Sequence, residues 1–182
     1  MVKPIHRLFI GLTPDQDTCQ ALTRLRARVA PHIDNLRWTP SGNWHVTLHF
    51  LGTCNPEQAA RLAAQFSAQA EGFAPLSLAG RQLQGFPHAQ QPGRIWALTL
   101  EGTPALKDWH AHLGHWLEAS GHEVERRPLK AHITLARSVR TRHWPMRETP
   151  LMCHFDKLAL FESVLTPQGP SYHSLSAVGT SA

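Results

Sequence analysis

Long apolar runs are missing from the 182 residues: none approaches the roughly 20 consecutive residues that a membrane-spanning helix needs, so no membrane partner is expected. The opening Met1-Val2-Lys3-Pro4-Ile5-His6-Arg7 also lacks the uninterrupted apolar stretch of a secretory signal, which makes the cytoplasm the expected location. Cysteine is scarce. Cys19, Cys54 and Cys153 are odd in number, far apart and in no CxxC pair, so neither a disulfide framework nor a thiolate zinc site is expected, only unpaired thiols in the core. There is no Walker phosphate loop and no GxGxxG, and so no sign of nucleotide-driven chemistry or of a cofactor. Acidic residues are outnumbered, 13 against 18 Lys and Arg, and the formal charge of +5 leaves out 13 histidines. That balance favours a polyanionic partner such as RNA but carries no specificity.

The remaining composition, with 42% hydrophobic and 17% charged residues, is that of an ordinary globular protein. Its length suits one domain over residues 1–182. Within it the chain repeats itself. The strand-like run Arg7-Leu8-Phe9-Ile10-Gly11-Leu12 has a counterpart in Arg94-Ile95-Trp96-Ala97-Leu98-Thr99-Leu100, and His45-Val46-Thr47-Leu48 has one in His132-Ile133-Thr134-Leu135. Arg7/Arg94 and His45/His132 align at the same offset of 87 positions. One such match is cheap; two at a shared offset indicate duplication.

Helical spacing fills the gap in each half. Cys19, Leu22, Leu25 and Val29 form an apolar stripe in the first, and Leu106, Trp109, Leu113, Trp116 and Leu117 form one in the second. Thr13-Pro14 and Thr103-Pro104 are the expected helix starts, and Gly121 an expected stop. A further Ala-rich helix is expected over Pro56 to Gly72, then strands at Leu76 to Leu78, Arg81 to Phe86, Phe155 to Phe161 and Tyr172 to Val178, with Gly179 to Ala182 as a tail. The second half is interrupted by Pro145 and Pro150. The expected fold is α+β: two pseudo-symmetric lobes, roughly 1–88 and 89–178 with a loop at Pro87 to Gly93 between them, antiparallel sheets lining a central cleft and helices outside.

Side chains alternate along a strand, so His45 and Thr47 share one face, His132 and Thr134 another, while Val46, Leu48, Ile133 and Leu135 point to the core. Across a two-fold cleft, two imidazoles and two hydroxyls would surround one bound group. Phosphodiester hydrolysis needs a proton taken from water and one given to the leaving oxygen. Imidazole can do either near neutrality, because its ordinary pKa is about 6.5. Threonine hydroxyls can hold the non-bridging oxygens, and no metal is required. Symmetry alone leaves the two histidines interchangeable. Read without catalysis, the same strands suit a binding module.

Two His-x-Thr-x motifs in a duplicated α+β chain of this length resemble the 2H phosphoesterases, and most closely the bacterial RNA 2′,3′-cyclic phosphodiesterases, also known as 2′-5′ RNA ligases. The resemblance runs from Arg7-Leu8-Phe9 through Trp44-His45-Val46-Thr47-Leu48-His49-Phe50-Leu51-Gly52 and His132-Ile133-Thr134-Leu135-Ala136-Arg137 to Phe161-Glu162-Ser163. It implies metal-independent opening of a terminal 2′,3′-cyclic phosphate to a 2′-phosphate, with His132 as proton acceptor, His45 as proton donor, and Thr47 and Thr134 on the phosphate. It also implies an RNA substrate, tRNA fragments or small cyclic nucleotides among the candidates, a monomeric enzyme, and 2′-5′ ligation as the reverse reaction. Phe161 stands where the family often has Tyr, and His49 is an added imidazole.

Further candidates stand beside this pair. Arg137 matches the family as a phosphate ligand, although simple alternation puts it on the face opposite His132 unless the strand bulges. Arg126, Arg127, Lys130, Arg137, Arg140, Arg142 and Arg147 make the second motif's surroundings basic and offer an RNA track. Phe9, Trp44, Phe50 and Trp96 are candidates for stacking unpaired bases as well as for core packing. His110, His112 and His115 spread over too much of a helix to converge on one metal ion, so no metal is expected. The competing reading from another class is a non-catalytic module of the same fold that binds RNA ends or tRNA.

Overall fold

The computed structural model describes residues 6–167 and 169–179. The chain begins with β1 (His6–Pro14), α1 (Gln16–Val29), β2 (Leu36–Trp38), β3 (Val46–Cys54) and α2 (Pro56–Gln69). It continues with β4 (Leu76–Phe86), β5 (Gly93–Leu100), α3 (Pro104–Ala119), β6 (His132–Arg142), β7 (Arg147–Thr166) and β8 (Gly169–Gly179). Thus α1 lies between β1 and β3, and α3 between β5 and β6, as the repeat implies. The strands run β2-β6-β5-β4-β7-β1-β3, every pair antiparallel, with β8 on β7. The β1–β3 and β5–β6 pairs of the two halves are joined through β4 and β7 into one hydrogen-bonded network.

The core forms where the helix stripes meet the apolar strand positions. Leu22, Leu25 and Val29 of α1, Leu62 and Phe66 of α2, and Leu106, Leu113 and Leu117 of α3 are buried with Val46, Leu48, Ile133 and Leu135. At roughly 1.5–3 kcal/mol for each fully buried large side chain, this apolar burial is the main force holding the helices on the sheet. Among the described residues no helix is long and apolar enough to cross a membrane. Cys54 and Cys153 are buried, Cys19 is half-buried, and all three are unpaired.

Local signals decide the helix ends. Thr103 caps α3 by accepting from the Leu106 N–H at 3.2 Å, with Pro104 in the first turn, and Gly121 follows the helix with φ 82°. Asn55 and Gln58 form a reciprocal capping box on α2. The start of α1 differs from expectation: Asp15, not Thr13, is the cap, its carboxylate accepting from the Thr18 N–H at 2.8 Å. Thr13 and Pro14 remain in β1, paired with Lys157 and Phe155. Two expected short strands, Leu76 to Leu78 and Arg81 to Phe86, are one strand with a register shift. Pro150 lies within β7, close to the shift between Gly80 and Gln82 in the β4 pairing, where a missing N–H is tolerated. Gly179 ends β8, and the rest of the expected tail lies outside the described residues.

Candidate active site

His45 directly precedes β3, and His132 is the first residue of β6. The same device holds both imidazoles. Nδ1 of His45 donates to the Asn43 carbonyl at 2.7 Å, and Nδ1 of His132 to the Lys130 carbonyl at 2.8 Å. Asn43 and Lys130 are themselves 87 positions apart. A carbonyl only accepts, so each neutral ring carries its proton on Nδ1 and keeps the Nε2 lone pair for chemistry. The Thr47 hydroxyl donates to Nε2 of His45 at 3.0 Å. Aromatic rings fix the imidazole planes: Phe9 lies 4.8 Å and Tyr172 5.1 Å from His45, and Phe86 stacks on His132 at 3.7 Å.

Burial pushes His45 down to about 4, against the raising effect of its Asn43 bond, and the positive charges of His132 and Arg137 depress it further. His132 is likewise lowered by burial, opposed by its Lys130 bond and reinforced by Arg137. Both rings are mainly neutral near pH 7 in the free protein. An entering anion favours their protonated forms.

Two bulges at equivalent places arrange the rest. In β3, Ile10 pairs with His49 and Gly11 with Thr47, which leaves Leu48 as an extra residue. In β6, Trp96 pairs with Ala136 and Ala97 with Thr134, which leaves Leu135 extra. Leu48 with His49, and Leu135 with Ala136, are consecutive buried pairs, so the residue after each pair returns to the cleft side. That residue is Phe50 in one half and Arg137 in the other. The bulge therefore resolves the position of Arg137: it lines a pocket with His45, Thr134, Asn43, Arg37 and Tyr172. Trp38, Thr39, Pro40 and Pro170 complete the wall; neither Thr47 nor His132 lines it, and Thr47 is joined to it through its bond to His45. His49 is carried to the opposite face, where its Nε2 donates to the His110 carbonyl at 2.8 Å and its ring stacks on that of His110 at 4.3 Å.

The stacking candidates separate by exposure. Phe50 is 71% exposed, whereas Phe9, Trp44 and Trp96 are 3%, 3% and 0% exposed and have no free face for a base. Phe9 instead supports His45, and Trp96 stacks on Trp144. The basic region does not form one track. Arg126 and Arg127 pair with Glu118 and Glu125, Arg142 donates to the Asp34 carbonyl, and Arg147 lines a groove beside α1. Of the α3 histidines, His110 stacks on His49 and His112 donates to the Gln69 carbonyl at 2.9 Å. Among the described residues no group of three or more His, Cys, Asp or Glu converges as a metal site.

Sequence reasoning missed Tyr172, the only tyrosine in the chain, along with Phe86, Asn43 and Arg37. Asn43 could have been found by extending the 87-residue offset to Lys130. Arg37 aligns at that offset with Val124, a residue of different chemistry, and Phe86 and Tyr172 lie outside the aligned stretch.

A family model described as LigT-like phosphoesterase matches residues 12–96. The RNA 2′,3′-cyclic phosphodiesterase of Thermotoga maritima is 23% identical over 178 residues, 93% of this chain and 92% of that one. A solved protein of Thermus thermophilus is 27% identical with a TM-score of 0.77, covering 95% of this chain and 97% of its own. Escherichia coli LigT, solved in complex with 3′-AMP, shares the fold with a TM-score of 0.73 at 21% identity, over 98% of this chain and 100% of that one. With the two His-x-Thr motifs at equivalent bulged strands of one cleft, the chain resembles the LigT-like phosphoesterases in both sequence and fold.

Proposed function

We propose that the chain is an RNA 2′,3′-cyclic phosphodiesterase that opens a terminal cyclic phosphate to a 2′-phosphate. The observation that carries this reading is the matched pair of imidazoles. Each has Nδ1 tied to a carbonyl two residues upstream, each keeps Nε2 for chemistry, and Arg137 is close enough to depress both. The names of the curated relatives agree with it.

Water attacks phosphorus as Nε2 of His132 removes its proton. The bond from phosphorus to the 3′ oxygen breaks, and that oxygen leaves with the proton from Nε2 of His45. Thr47, Thr134 and Arg137 hold the non-bridging oxygens, whose charge grows in the transition state. The direction of proton flow follows the family resemblance. Exposed Phe50 is the ring available to the terminal base. RNA ends, tRNA fragments among them, are the substrate class. One copy of the chain carries both histidines, in keeping with a monomer.

In the presence of a chelator, the protein is expected to convert an oligonucleotide 2′,3′-cyclic phosphate to the 2′-phosphate. His45→Ala and His132→Ala should each slow the reaction by about 10²-fold or more. Full activity in either variant overturns the acid–base scheme; RNA binding without turnover by the unaltered protein would favour the binding-module reading.

A further inference from the structure

Three arginines stand side by side at one end of the cleft. In the strand order β2-β6-β5 they are Arg37, Arg137 and Arg94. Arg37 and Arg137 are directly opposite in the β2–β6 ladder, and Ile95, next to Arg94, is opposite Arg137 on the other side. All three side chains are exposed and line one groove with Ser138, Val139 and Pro170. Arg37, Arg137 and Pro170 also line the active-site pocket, so groove and pocket are continuous.

Like charges directly opposite in an antiparallel pair destabilise a sheet. Four arginines elsewhere, Arg61, Arg81, Arg126 and Arg127, each have a glutamate within ion-pair distance. Among the described residues no ion pair involves Arg37, Arg94 or Arg137. An unbalanced row of planar donors, held together against its own repulsion, suits an anion that arrives with the ligand. The cyclic phosphate itself is held at the His45 and Thr134 end, so the row extends past the reacting group by more than one anion needs. The next anion along an RNA chain is the phosphodiester on the 5′ side of the terminal nucleotide.

We infer that Arg37 and Arg94 form a second phosphate subsite, beyond Arg137, that binds the phosphodiester immediately upstream of the cyclic end. The inference rests on the activity proposed above. It makes the preferred substrate an oligonucleotide rather than a mononucleotide, and it sets the direction of the RNA: the chain leaves the pocket over β6 and β5 towards Arg94.

The test compares a mononucleoside 2′,3′-cyclic phosphate with a dinucleotide ending in the same cyclic nucleotide, which adds a single phosphodiester. The wild type should favour the dinucleotide in kcat/KM by about tenfold, chiefly through KM, as expected for a charge-assisted contact. Arg94→Ala should bring that ratio down at least about threefold and reduce the salt dependence of the dinucleotide KM by about 0.7 in log–log slope. Arg28→Ala, which removes an exposed charge from α1, should keep the wild-type ratio. A wild-type ratio near one, a ratio unchanged by Arg94→Ala, or an equal loss in Arg28→Ala overturns the subsite. If the wild type turns over neither substrate, the activity reading fails instead. The subsite is then decided by equilibrium binding of the dinucleotide carrying a 2′-phosphate, with the same contrast between Arg94→Ala and Arg28→Ala.

Discussion

At the scale of single residues, the site uses burial and positive charge to keep two imidazoles deprotonated until substrate arrives. His45 is held near 4 and His132 below its ordinary value, and Arg137 lowers both. In the proposed mechanism, catalysis by one protonated and one neutral ring then depends on the bound phosphate to offset that charge. Replacing Arg137 with alanine removes a cation from both rings, so both should titrate at higher pH. The pH profile of kcat/KM for Arg137→Ala is expected to shift to higher pH than that of the wild type, on top of a fall in rate of about 10- to 100-fold from the lost phosphate contact. A profile that falls in amplitude without shifting would mean that Arg137 does not set these pKa values.

At the scale of elements, close approach of β1 to β3 is what places His45. Gly11 sits opposite Thr47, and a Cβ there would come within 2.8 Å of the Val46 carbonyl and 3.6 Å of the His45 ring. The carbonyl is backbone and cannot turn aside. Gly11→Ala should therefore open the ladder under the histidine, costing about 1–3 kcal/mol in denaturant unfolding and over tenfold in kcat. Unaltered stability and kcat would show that the strand tolerates the shift. The bulges belong to this scale too. Period-2 alternation was legible from His45 through Leu48 and from His132 through Leu135, and it fails at the next residue, where Leu48 and Leu135 are extra. Nothing in Leu-His-Phe or Leu-Ala-Arg announces the bulge. A strand's register is settled by its partner, so the faces of His49, Phe50 and Arg137 needed β1 and β5 to be in place.

At the scale of the whole molecule, burial of imidazoles links stability to pH. His45, His49, His110, His122 and His132 all lie below the ordinary value, with burial the leading cause in each. The unfolded chain, with imidazoles near 6.5, binds protons more readily between that pH and the folded values. Their stabilising contribution is therefore complete above about pH 6.5 and is lost as pH falls below it. For His45 alone, the interval of about 1.5 pH units between 6.5 and 5 corresponds to about 2 kcal/mol at pH 5. Unfolding free energy should fall from pH 7 to pH 5 in the wild type and fall less in His45→Gln; equal slopes in the two proteins would contradict this. The sequence by itself determined the duplication, the helix stripes and the pairing of His45 with His132, because these are periodic and local, and periodicity survives in a one-dimensional text. Tertiary structure alone decided that Arg37, Arg94 and Arg137 form a row, that Tyr172 and Phe86 flank the imidazoles, and that Phe9, Trp44 and Trp96 are closed to bases. Those are contacts between segments distant in the chain, and their distances exist only once the strands have chosen neighbours and register.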